Sequence, residues 1–159
     1  MKSAPFLVAL VLVYGSVAIA RPCRTADEIR AETIIGFFAA QRTTAELCDV
    51  LLREEPIMAG LHWRMIEAHR SRVVAADKAR EGYFRRAYGE RWKATMDFWD
   101  REFLRVFPQG LRLTPQGCRD LRDEMSRRVA GGWSYIGAQI ERQVAEGLRL
   151  ETAPECGTL

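Results

Sequence analysis

Asparagine is absent from the 159 residues, and lysine occurs only as Lys2, Lys78 and Lys93. Without Asn there is no N-glycosylation acceptor, so nothing specific points to a eukaryotic secretory route. Lys and Asn codons are both AT-rich, and their scarcity beside abundant Arg fits a GC-rich bacterial genome. Other absences exclude chemistry. No C-x-x-C pair exists among the four cysteines, which removes the usual zinc spacing, and no C-x-x-C-H exists for haem attachment. No G-x-S-x-G elbow occurs, and after residue 20 the only serines are Ser71, Ser126 and Ser134. The sole histidines, His62 and His69, stand two helical turns apart. That is about 10 Å, too far for both to bind one ion directly, and zinc helices use the i, i+4 spacing of H-E-x-x-H. Carboxylate pairs such as Glu54-Glu55 and Asp97-Asp100 share their helices with arginines and read as solvated ion-pair faces. No catalytic residue, metal site or cofactor is therefore expected. The formal charge of +3 is too near balance to imply nucleic acid as a partner.

No apolar run is long enough for a transmembrane anchor, which needs about 20 residues. Pro5 to Ala20 falls short and is broken by Gly15 and Ser16. It reads instead as a signal peptide over residues 1–20. Lys2 gives the positive start, Phe6 to Val13 the apolar centre, and Ala18-Ile19-Ala20 the small-x-small cleavage site. Ala20-Arg21-Pro22 before Cys23 does not fit a lipobox. The expected product is one exported domain over 21–159, periplasmic or secreted from a bacterium. All four cysteines, Cys23, Cys48, Cys118 and Cys156, lie in it, and an even number in an exported chain implies two disulfides.

What is present is helical periodicity almost throughout, with no convincing period-two stretch. Thr25 with Glu28 forms a capping-box pattern for a first helix to about Gln41. Thr43 or Thr44 opens a short second helix that ends before Pro56. A long third helix carries Met58, Leu61, Met65, His69, Val73, Ala76 and Tyr83 on one stripe up to Gly89. A fourth places Trp92, Met96, Trp99, Phe103 and Phe107 on one face and stops at Pro108-Gln109-Gly110. Thr114-Pro115 starts the last, whose stripe runs from Cys118 to Val144 with a kink expected at Gly131-Gly132. The expected fold is all-α, an irregular up-and-down bundle of about five helices, two of them long, stapled by two disulfides. In a simple up-down order Cys23 and Cys118 share one end and Cys48 and Cys156 the other, which favours that pairing. Cys48–Cys118 with Cys23–Cys156 is the alternative.

Leu113-Thr114-Pro115-Gln116 resembles the opening of the L-T-x-x-Q motif of periplasmic stress-adaptor proteins. Gly117 stands where that motif has its glutamine, so the similarity covers four residues. The site expectation rests on the aromatics instead. Phe84, Tyr88 and Phe98 fall off the apolar stripe, and exposed together they form a candidate partner-binding surface with Arg85, Arg86 and Arg91 as a basic rim. This reading is a non-enzymatic protein-binding or adaptor module acting on another envelope or secreted protein. The runner-up is a small-ligand carrier or enzyme with a pocket between the long helices near His62 and His69.

Overall fold

The computed structural model describes residues 23–53 and 57–151; the signal-peptide residues, Pro56 and Cys156 lie outside them. Thr25 opens α1 (Ala26–Leu52) with a reciprocal capping box: its hydroxyl accepts the Glu28 N–H at 3.2 Å, and the Glu28 carboxylate accepts the Thr25 N–H at 2.8 Å. The helix does not stop at Gln41. Thr43 and Thr44, expected to cap a second helix, turn their hydroxyls back onto Ala39 and Ala40 carbonyls at 3.1 and 2.8 Å. A threonine bonded to the carbonyl four residues earlier stays inside a helix rather than opening one. The first two expected helices are therefore one, ended by Arg53 in the left-handed region (φ 52°).

The expected third helix is two. α2 (Ile57–Ala68) and α3 (Arg70–Tyr88) are separated at His69, whose backbone leaves helical geometry at φ −122°, ψ 17°. A side chain of α1 supplies the cap of α2: the buried Asp49 carboxylate accepts the Met58 N–H at 3.0 Å and the Ala59 N–H at 2.9 Å. An anion on the exposed N–H groups of a first turn satisfies them and suits the helix dipole. A 3-10 turn (Gly89–Arg91) leads into α4 (Trp92–Val106), and a second (Phe107–Gly110) leads out of it. Thr114 then caps α5 (Pro115–Glu151), its hydroxyl accepting the Gly117 N–H at 3.0 Å. α5 bends at Gly132 (φ 62°, ψ −157°), a conformation essentially confined to glycine. Among the described residues there is no strand, and no helix is long and apolar enough to cross a membrane.

α1 is the axis of the bundle. α5 runs antiparallel along it, with Cys48 bonded to Cys118 at one end and Arg30 paired to Glu141 at the other. α3 lies on a second side, also antiparallel, through Glu32–Arg80 at 2.8 Å and Glu28–Arg86 at 2.8 Å. One apolar cluster joins Ile34, Phe37 and Phe38 of α1 to Met65, Ala76, Ile136 and Ile140. A second surrounds the disulfide with Ala45, Met58, Leu61 and Met125. Burying side chains of this size contributes about 1.5–3 kcal/mol each, which makes these clusters the main source of stability.

The favoured cystine pairing is corrected here. Cys48 and Cys118 are bonded to each other with Cα atoms 5.4 Å apart, so neither Cys23–Cys118 nor Cys48–Cys156 forms. The reason is the uninterrupted α1, which carries Cys48 about 33 Å along the axis from its start, to the end where α5 begins. Cys23 is also disulfide-bonded. Cys156, its partner in the alternative pairing, lies outside the described residues.

Candidate functional site

The off-stripe aromatics do not form a common surface. Phe84 is 2% exposed, a core residue rather than a surface one. Its ring stacks on the half-buried Tyr88 at 5.5 Å and meets Tyr83 edge-on at 5.4 Å. Ala76, Arg80, Tyr83 and Phe84 are the buried residues of α3, and their spacing of four, three and one places Phe84 on the same inward face as Tyr83. The expected basic rim is largely spent within the fold. Arg85 bonds Glu81 and lies 4.1 Å from the Trp92 ring, and Arg86 grips Glu28, whose carboxyl it holds below the usual range. Arg91 is exposed in the 3-10 turn, away from Phe84 in burial though near it in sequence.

Phe98 is 49% exposed, and it belongs to a different surface. α4 contributes no buried residue at all. Phe98, Trp99, Glu102, Phe103, Val106 and Phe107 line an open groove of about 570 Å³ along it. Phe98 and Trp99 meet edge-on at 5.6 Å, while Phe103 and Phe107 stack at 5.2 Å. Trp99, expected in the core, is 42% exposed. Periodicity reported that α4 is amphipathic, and it could not report that none of its residues is buried. An ion-pair network ties α4 to α3 and α1. Arg80, 4% exposed, bonds Asp100 of α4 through both terminal nitrogens and Glu32 of α1 through Nε.

A second concavity of about 430 Å³ lies on the other flank of α4, between α1, α2 and α4. Phe38, Ile66, Phe103 and Leu104 give it apolar walls, and Arg42, Glu46 and His62 give it a polar side. Arg42 and Glu46 pair with each other at 2.8 Å. His62 is 2% exposed, and its Nδ1 is buried without a hydrogen-bond partner. Burial first, and the Arg42 charge second, hold its pKa down to about 4, so the ring is neutral at pH 7. His69 does not share this cavity. Its ring sits 6.4 Å from Phe38 and 5.4 Å from Trp133, its Nε2 is likewise buried and unpaired, and burial lowers its pKa. His69 is packed as its place on the apolar stripe implied, His62 is buried as well, and each keeps one enclosed ring nitrogen without a hydrogen bond.

Among the described residues no group of three or more His, Cys, Asp or Glu is placed to hold a metal ion. No family model, curated protein or solved structure matches this chain.

Proposed function

We propose that the chain is a non-enzymatic binding module of the bacterial envelope, and that α4 receives an amphipathic helix of another exported protein. The observation that carries this reading is a helix with no buried residue, whose groove walls Phe98 and Val106 are each about half exposed. An exposed apolar groove of this kind is where helix-in-groove recognition takes place. Charge gives the occupant's chemistry. Arg101 and Arg105 are exposed and follow Phe98 and Glu102 by three positions, which sets two guanidinium groups along the solvent edge of the groove. Glu102 neutralises part of Arg105 at 2.6 Å, leaving a net basic edge. The fitting partner is a helix whose apolar stripe is bordered by carboxylates. Export itself rests on the leader sequence and agrees with buried disulfide-bonded cysteines.

The test is affinity capture on oxidised residues 21–159 from envelope extract of the source bacterium, with Phe98→Ser and Val106→Glu variants in parallel. One protein retained by the parent and lost by both variants, at unchanged thermal midpoint, supports the reading. Capture that both variants retain would remove α4 as the docking face.

A further inference from the structure

We infer that the cavity between α1, α2 and α4 is a second site, which takes an uncharged small molecule with an apolar body and one hydrogen-bonding group, recognised by His62. Its volume of about 430 Å³ lies within the range of small-ligand pockets, about 300–1,000 Å³. Its walls are mostly hydrocarbon and aromatic, from Phe38, Ile66, Phe103 and Leu104. The polar groups around it differ in whether they are already satisfied. Thr43 donates to Ala39 O, Arg42 pairs with Glu46, and Asp100 is engaged by Arg80. His62 is the exception: no hydrogen bond from either ring nitrogen is formed to a described residue, and Nδ1 is fully enclosed. The ring lines the cavity, and Nε2, which unlike Nδ1 is not fully enclosed, is the nitrogen that a bound molecule meets.

The character of the ligand follows from the same groups. A neutral imidazole has one N–H donor and one acceptor nitrogen, so it matches a hydroxyl, an amine N–H or an amide rather than an ion. The nearest full charges, Arg42 and Glu46, cancel across their own bond and offer no unbalanced charge to a carboxylate or an ammonium. The site is independent of the outer groove of α4 except at Phe103, which lines both.

N-phenyl-1-naphthylamine is a suitable probe: it is uncharged, carries one N–H on two aromatic rings, and fluoresces on leaving water. 1-Phenylnaphthalene has nearly the same shape and no N–H. Oxidised residues 21–159 should bind the amine saturably at one site, and more tightly than the hydrocarbon by about 3- to 10-fold, the range of one neutral hydrogen bond. His62→Leu should erase that preference while leaving hydrocarbon binding in place. Ile66→Trp, which fills the cavity, should weaken both probes at least about 10-fold, and Phe98→Ser, on the outer groove, should change neither. Far-ultraviolet circular dichroism and the thermal midpoint identify any variant that has failed to fold, and Ile66→Trp decides the matter if His62→Leu is such a variant. Binding that survives Ile66→Trp, binding that Phe98→Ser abolishes, a preference that outlasts the loss of His62, or no binding of either probe would each overturn the assignment.

Discussion

The seam between α1 and α5 and the docking of α4 are built on opposite terms. Along the seam, Ile29, Phe37, Phe38, Ile136, Ile140 and Val144 are all at most 7% exposed, and a disulfide closes one end. α4 has comparable apolar residues but none of them is buried, and a guanidinium between two carboxylates ties it to α3 and α1. A helix whose groove-lining Phe98 and Val106 stay about half exposed still has hydrophobic free energy to gain on association. The contrast separates the part of the molecule that makes the fold from the part available to a partner.

The comparison breaks most visibly at the seam. Phe38→Ala should lower stability by about 3–5 kcal/mol in urea unfolding, because it removes a fully packed ring from the larger cluster. Replacing Cys48 and Cys118 together by Ala should cost about 2–4 kcal/mol, through the lost constraint on a 70-residue separation. Mapping the native disulfides by mass spectrometry checks the pairing directly: a Cys48–Cys118 peptide is expected, and a Cys48–Cys156 peptide would refute the fold's closure at that end.

His62 lies where the two regions meet, and it should give stability a pH slope. Its ordinary value is 6.5, and the fold lowers it to about 4. Between those values the unfolded chain holds more protons than the folded one, so stability falls as pH drops from about 6.5 to about 4. The full contribution is of order 3 kcal/mol, at about 1.4 kcal/mol per pH unit. Comparing urea midpoints at pH 7 and pH 4.5 for the parent and for His62→Leu measures it. The variant should lose a clearly smaller share of its stability, and parallel losses would assign the slope to other groups. The smallest effect belongs to α4: Phe98→Ser should stay within about 0.5 kcal/mol of the parent, as substitutions at exposed positions do. A loss approaching that of Phe38→Ala would show the α4 face to be core.

Much of the fold was legible. The Thr25–Glu28 capping box, the Thr114-Pro115 start and the bend at Gly131-Gly132 depend on neighbours in sequence, and each is found where local chemistry puts it. The site was less legible. Phe98 is exposed, but Phe84 is buried beside Tyr83, and the groove walls Trp99, Phe103 and Phe107 were expected on an inner face. A stripe of apolar residues records that a helix has an inner face, without recording whether anything lies against it.

By itself, then, the sequence determined the all-α class, the apolar stripes and the glycine at the bend, since these follow from backbone preference and a period of 3.6. Only the tertiary structure decided the rest. Thr43 and Thr44 can cap a helix or ride inside one, and the packing of α1 against three neighbours selects the second. His69 ends α2 with no glycine or proline to signal it, at the point where its ring packs among Phe38 and Trp133. Asp49 caps a helix other than its own, and Cys48 meets Cys118 because an unbroken α1 carries it there. Each of these choices is made by groups far apart in sequence, whose free energies enter only once the helices are side by side.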